Sequence, residues 1–581
     1  MDDHAIERRS PLPPLRRRVA RVVTLLVLLC IGVVCAGGCA TSLRDWARNG
    51  FKVGPNYVRP PAPVAPHWIE DGNPLVHNDP PSDCGWWTVF RDPTLNTLVD
   101  MAYRQNLDVR VAGTRILQAR SQRNISVGNL FPQSQSAMAA YAHGQITENL
   151  NVPVPSSFNV WATGFNASWE LDFWGRYRRT VEASNADLAG SVEQYGDTLI
   201  LVLAEVATAY VDLRTFEQRL DYAQQNVQIQ LGTLKLAEAR FERGLATELD
   251  VRQARSSLAQ TEASIPQFEI SRRQASNRLC TLLGMPVGDL AAQFAKAPIP
   301  VAPPEVAIGL PAELLRRRPD IRQAEREVAA QSARIGVAEA DLYPSLSLNG
   351  FLGYAADDIE RLFRSSSFTA FIIPTLNWNV LNYGRIANNI RLQDARLEGA
   401  ALEYQQTVLR AGQEVEDALV SYLQSQRRAA KLAESVREAE RSVELVLVQY
   451  RGGVTDFNRV FNTQELLVSQ QDQFAAAEGE IAQSLIRVYK ALGGGWLYFC
   501  RGQGMPRLQA VETEVPPRQT PSDVPREALP PAPPVIEPTP TPSPAAPAPV
   551  SPVPGPAAPL PAGPTPAAPS PQSESEPDLP G

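Results

Sequence analysis

The stretch Val160-Trp-Ala-Thr-Gly-Phe-Asn-Ala-Ser-Trp-Glu-Leu-Asp-Phe-Trp-Gly-Arg176 joins two periodicities. Up to Phe173 the side chains alternate. Trp161, Thr163, Phe165, Ala167, Trp169, Leu171 and Phe173 share one face, and Val160, Ala162, Gly164, Asn166, Ser168, Glu170 and Asp172 the other. Alternation with period two predicts a β-strand. From Arg176 to about Arg243 the pattern becomes helical, without a break. Leu199, Val202, Val206, Ala209, Leu213, Phe216 and Leu220 recur at helical spacing. At 1.5 Å per residue such a helix is about 100 Å long. A strand feeding a helix of that length does not suit a compact soluble domain.

The junction occurs twice. Tyr383-Gly-Arg385 stands 209 residues after Trp174-Gly-Arg176, and Gln449-Tyr-Arg-Gly-Gly453 stands 209 after Arg240-Phe-Glu-Arg-Gly244. Leu492-Gly493 follows Leu283-Gly284 at the same offset. Earlier anchors, Asn106 to Arg110 against Arg318 to Arg322 and Phe131-Pro132 against Tyr343-Pro344, lie 212 apart. A near-constant offset predicts an internal duplication. Each copy reads as a helix of about 40 residues (Pro93 to Leu130; Pro311 to Leu342), two strands, one long helix, a glycine turn and a returning helix. Pro266 predicts a kink in the first returning helix. The second copy repeats the alternation, with Phe368, Ala370, Ile372, Pro374 and Leu376 on one face and Leu346, Leu348, Gly350, Leu352 and Tyr354 on another strand.

Ten-residue segments of this kind suit a transmembrane barrel or a half-buried soluble sheet. Four strands cannot close a barrel, and open edges are not tolerated in lipid. If the sheet spans a membrane, several chains must share it.

Composition bounds the rest. The chain has 581 residues, and 25 of its 51 prolines fall between Pro516 and Gly581, so folding is expected to stop near Gly504. A net charge of −7 argues against a nucleic-acid partner. His4, His67, His77 and His143 lack metal-ligand spacing, and no phosphate loop or nucleophile elbow is present, so no metal, cofactor or enzymatic activity is expected. At the N-terminus, arginines precede an apolar run from Val22 to Val34, then Ala36-Gly-Gly-Cys39. The run is too short to span a bilayer, and the order is that of a secretory signal peptide ending in a sequence that resembles a lipobox. Cys39 is the expected lipid attachment site. The organisation read from the chain is a signal peptide (1–38), a lipid-anchored extension (39–91), a first copy (92–284), a linker (285–309), a second copy (310–496) and a C-terminal extension (497–581), Pro-rich from about 516.

Val53-Gly-Pro-Asn-Tyr-Val-Arg-Pro60, Trp174-Gly-Arg176, Arg316-Arg-Arg-Pro-Asp320 and Ala491-Leu-Gly-Gly-Gly-Trp496 resemble the TolC-type outer-membrane efflux proteins, most of all the NodT lipoprotein branch. The resemblance covers about residues 53–496. It implies an α+β membrane protein: a homotrimer in which four strands per chain make one shared barrel of twelve, continued by a long α-helical barrel across the periplasm. It also implies an outer-membrane location and two partners, a periplasmic adaptor and an inner-membrane pump of the resistance-nodulation-division type. The function implied is a passive, gated duct for small toxic molecules.

By the same resemblance the gate lies at the periplasmic turns. The gate candidates are Leu249, Asp250 and Gln253 and, at the 209 offset, Asn458, Arg459 and Asn462. Asp250 and Arg459 have opposite charge at equivalent positions, so a latch between neighbouring hairpins is expected, weighed against two solvated charges. The turns Arg243-Gly244-Leu245 and Gly452-Gly453-Val454 are the expected adaptor-docking points. In an oxidising compartment Cys84 and Cys500 can pair, leaving Cys280 buried and free; spacing leaves three pairings, or none, open. Two rivals are a protein-secretion channel of the same fold and a lipid-anchored coiled coil without a pore.

Overall fold

The computed structural model describes residues 41–79, 85–145, 157–290, 294 and 296–495. All belong to a compact unit that ends at Met505. The signal peptide, Cys39, Cys84, Trp496, Cys500 and the Pro-rich extension lie outside the described residues.

In chain order the elements begin with α1 (Leu43–Arg48), β1 (Val76–His77), α2 (Pro93–Gln105) and α3 (Leu107–Gly128). Then come β2 (Ser134–Gln145), β3 (Ser157–Leu171), α4 (Arg176–Glu242) and α5 (Glu248–Leu282). The second half holds β4 (Val306–Ala307), α6 (Leu314–Arg317), α7 (Pro319–Ala340), β5 (Ser345–Ala356), β6 (Phe368–Asn377), α8 (Arg385–Arg451) and α9 (Phe457–Ala491). Both long helices, α4 and α8, have 67 residues. Each is therefore about 100 Å long. Among the described residues no helix is both long and apolar enough to cross a membrane.

The first helix of each half, expected to be continuous, is broken. It breaks at Asn106 and at Arg318, both with extended ψ. Asn106 caps α3 by accepting from Val109 N, and its side-chain amide donates 2.8 Å to Leu282 O at the end of α5. Arg318 precedes a proline, which disfavours the helical region. Its guanidinium donates 2.8 Å to Ala491 O at the end of α9. Each break thus satisfies a carbonyl that a returning helix leaves unpaired. The returning helices α5 and α9 have 35 residues each, and α5 runs on through Pro266.

α4 packs along α3, α5, α7 and α9, and α8 along α7 and α9. Of the seam expected on α4, Leu199, Val202, Val206, Ala209 and Leu213 are buried, in one core with Leu95 and Leu98 of α2, Tyr404, Val415 and Leu419 of α8 and Leu485 and Val488 of α9. A fully buried side chain of this size contributes about 1.5–3 kcal/mol. The parallel pair β1–β4 ties the N-terminal extension to the inter-repeat linker at the level of this core.

The strands form one antiparallel sheet in the order β2-β3-β5-β6. Register puts the apolar stripes on a single face: Trp161 opposite Tyr141, Phe165 opposite Leu352, Gly350 opposite Ile372 and Leu346 opposite Leu376. Phe165, Ile372 and Leu376 on this face are at least 64% exposed in the single chain. The opposite face carries polar contacts, Ser168 Oγ to Asn349 at 2.8 Å and Asn349 Nδ2 to Thr375 at 3.2 Å. There the backbones of Gly164 and Gly353 meet, and the Phe351 ring lies over both. A Cβ on Gly353 would come within 2.2 Å of Thr163 O.

The turn from sheet to helix needs glycine. Gly175 and Gly384 have φ of +84° and +80°, where a Cβ is disfavoured. Beside them Trp169 Nε1 donates to Leu130 O at 3.2 Å, and Trp378 Nε1 to Leu342 O at 3.0 Å. The N-terminal extension is strapped across this junction. Arg178 donates to Gly50 O and Phe51 O, and the fully buried Arg179 to Val53 O and Gly54 O at 3.0 and 2.8 Å. Glu325 of α7 takes Tyr57 and Arg59. The Val53 to Pro60 motif is thus a docking strap.

Candidate functional site: the hairpin tips

The two turns that close α4–α5 and α8–α9 are built alike. Leu245 N donates to Arg240 O at 2.8 Å and Gly244 N to Phe241 O at 2.9 Å. Val454 N donates to Gln449 O at 2.9 Å and Gly453 N to Tyr450 O at 3.1 Å. Gly244 and Gly453 have φ of +70° and +73°, as a left-handed helix stop requires. The following helices start on equivalent caps. Thr247 Oγ accepts from Asp250 N, and the Asp456 carboxylate from Arg459 N at 3.0 Å. A threonine three residues before an aspartate is the signature of a capping box, and Thr247 and Asp250 form one here.

The proposed gate residues lie within the first two turns of these helices. Leu249 is 64% exposed, and Asn458, Arg459 and Asn462 are exposed, whereas Asp250 and Gln253 are half-buried. Arg243, Gly244, Leu245, Gly452, Gly453 and Val454 all face solvent. Asp250 and Arg459 do not pair within the chain. The Asp250 carboxylate is taken up by its own helix start, accepting from Thr247 N at 3.0 Å.

The contact that joins the two tips belongs to a residue outside the candidate set. Arg240 donates to Tyr450 O at 2.5 Å and to Arg451 O at 3.4 Å, the terminal carbonyls of α8. A cation is favoured at that end of a helix. The guanidinium also stacks 4.7 Å from the Tyr450 ring centroid. Tyr450 is 2% exposed and packs with Phe457, Val251, Val446 and Val460. Burial, and then the Asp250 carboxylate, push its hydroxyl above the ordinary tyrosine range. The signal that could have found Arg240 is the mismatch at the repeat offset: Arg240 in the first tip, Gln449 in the second.

Between this apolar tip and the main core the α4–α9 seam is polar. Asn226 donates to Gln471 at 2.7 Å, Gln471 to Glu440 at 3.0 Å and Gln464 to Thr233 at 2.8 Å. Arg219 binds both oxygens of Asp472 at 2.7 and 2.9 Å. Hydrogen bonds of this kind can exchange partners as helices slide, which packed apolar side chains resist. Among the described residues there is no cluster of His, Cys, Asp or Glu fit to hold a metal. Cys280 is buried, with a free thiol.

Comparison with known proteins agrees with this arrangement. The outer membrane efflux protein family is matched twice, over residues 98–285 and 310–494. Nodulation protein T of Rhizobium leguminosarum bv. trifolii is 30% identical over 449 residues, covering 77% of this chain and 95% of that protein. The pyoverdine export outer membrane protein OpmQ of Pseudomonas putida is 32% identical over 71% of this chain and 88% of its own. The solved structure of the outer-membrane channel OprN superposes with a TM-score of 0.73 at 32% identity, over 76% of this chain and 99% of that one. The chain belongs to the outer membrane efflux protein family.

Proposed function

We propose that this chain is the outer-membrane channel of a tripartite efflux pump and works as a homotrimer. The observation that carries the reading is the sheet: four strands, apolar on one face, with β2 and β6 as free edges, set on helices about 100 Å long. Because its strands alternate in direction, β6 of one chain meets β2 of the next in antiparallel sense. Three chains then close a barrel of twelve with no edge left in lipid. α4, α5, α8 and α9 continue the duct toward the periplasmic tips. No bond chemistry is involved: cargo moves through water, and the protein controls the opening. The two family matches and the shared tip and junction hydrogen bonds support descent from a duplicated unit.

Leu249, Asp250, Gln253, Asn458, Arg459 and Asn462 are the proposed gate lining. The exposed turns at 243–245 and 452–454 are the proposed seat of a periplasmic adaptor coupled to an inner-membrane pump. Within each chain the Arg240 contact joins the two tips.

The position of Thr41 supports lipid anchoring at Cys39. Glu339 accepts from Thr41 N at 2.6 Å, and Tyr343 OH donates to Thr41 O at 3.3 Å, at the foot of β5. Two residues of chain span at most about 7 Å. A lipid on Cys39 would enter the leaflet beside the Trp46, Phe51, Phe173 and Trp174 rings, an interfacial aromatic group. Palmitate labels the wild-type chain and not Cys39→Ala in this reading; equal labelling of both removes the anchor.

Deleting the gene and challenging cells with a panel of toxic compounds tests the function. The reading requires greater susceptibility to at least one small-molecule class, restored by the wild-type chain. Unchanged susceptibility together with a lost secreted protein would instead favour the secretion channel.

A further inference from the structure

A cleft of about 620 Å³ opens between the 3-10 turn Trp86–Phe90, with the residues after it, and the inter-repeat linker. Val89, Phe90 and Pro93 form one wall, and Ile299, Val301 and Ala302 the other. Both walls are fixed. Asp92 accepts from Thr94 N at 2.8 Å to cap α2 and from Tyr210 OH at 2.7 Å. Across the cleft Tyr422 OH donates to Pro303 O, and Gln426 Nε2 to Pro304 O at 3.2 Å. Between these pinned points Val301 is 76% exposed. The cleft is therefore built into the fold and apolar.

The described chain ends beside the same turn. A Cβ on Gly495 would lie 3.0 Å from Trp86 Nε1 and 3.7 Å from Leu203 Cδ1. The turn has five residues. At about 2 Å rise per residue it carries the wall roughly 10 Å from Trp86. Four or five extended residues reach about 13–18 Å, enough to enter the cleft. The residues that follow Gly495 are Trp496-Leu-Tyr-Phe499, four large apolar side chains in succession, in a chain only 20% charged. Exposing such a run to water is unfavourable, and an apolar cleft lies within reach.

We propose that Trp496–Phe499 docks in this cleft of its own chain. The docked segment fastens the C-terminal extension to the inter-repeat linker, near where β4 of that linker pairs with β1 of the N-terminal extension. This inference rests on the cleft and the segment, and stands independently of the channel reading.

The test uses the full-length protein with photoreactive p-benzoylphenylalanine replacing Val301. After irradiation of the purified protein, the expected product has single-chain mass and joins position 301 to a peptide containing residues 496–499. The same product should be lost in Leu497→Asp. A product of two-chain mass, a link to residues beyond Pro516, or no link to 496–499 would overturn the proposal. Amide exchange supplies a second reading. Full-length Leu497→Asp should exchange about tenfold faster in segments 89–94 and 297–304 than the wild-type chain, with the hairpin tips unchanged as a control for folding. Equal exchange in the two full-length chains contradicts docking.

Discussion

At the scale of single residues, Arg240 is the most consequential side chain at the tips. It satisfies the end of α8 and covers Tyr450 from the neighbouring hairpin. Arg240→Gln, which copies Gln449 of the second tip, removes a charge-assisted contact worth about 1–3 kcal/mol. The expected outcome is a leakier closed state, seen as larger resting conductance in planar bilayers and faster amide exchange over residues 446–457. Conductance and exchange equal to wild type would show that the tips are held elsewhere. Gly353 gives a second prediction. Gly353→Val places a side chain where Thr163 O and the Gly164 Cα lie at 2.2 and 2.6 Å. Strand pairing must shift, and the heat-modifiable oligomer on gels should be lost or reduced severalfold while helix content stays near wild type. The turn glycines were legible in sequence because only glycine suits a left-handed helix stop. The role of Arg240 was not, because it depends on two turns 209 residues apart meeting in space.

At the scale of elements, the long helices and the strand alternation were readable because each is a local periodicity. The breaks at Asn106 and Arg318 were not placed by periodicity, since the apolar pattern continues across them. Their cause is non-local: each side chain turns back to a carbonyl at the end of a returning helix. The polar rungs between α4 and α9 were hidden for a similar reason, as Asn, Gln and Thr at helical spacing read equally as solvated surface. They yield a prediction of their own. Gln471→Leu leaves Asn226 and Glu440 without their shared partner and should destabilise the α4–α9 seam by about 1–3 kcal/mol. The readout is local exchange, with the core around Leu485 unaffected. A loss spread evenly over the chain would contradict the separation of seam and core.

The same helices set the response to pH. Burial is the first cause that raises Asp187, Glu193, Asp197 and Asp212 of α4 and Glu478 of α9 above the usual carboxylate range. A carboxyl raised in the folded state holds protons more tightly there than when unfolded. These groups therefore add stability as pH falls through their folded values and lose it as pH rises. The melting temperature of the solubilised protein should rise as pH falls from neutral toward the usual carboxylate range, and Asp197→Asn should flatten part of that rise. A fall over that interval would mean that carboxylates held in ion pairs dominate instead.

At the scale of the whole molecule, the proposed channel needs more than one chain. The sheet of a single chain has two unpaired edges and a broad exposed apolar face, conditions that a lone chain in lipid cannot meet. In the proposed reading the need for partner chains follows from strand number together with the requirement that no sheet edge stay unpaired in lipid. Which edges meet does not, because strand order depends on the connection from β3 to β5, which crosses the whole of α4, α5 and α7. The most direct test of the account is the native mass of the protein extracted from the outer membrane. The account predicts a complex of three chains. A stable, membrane-inserted species of one, two or four chains would contradict it.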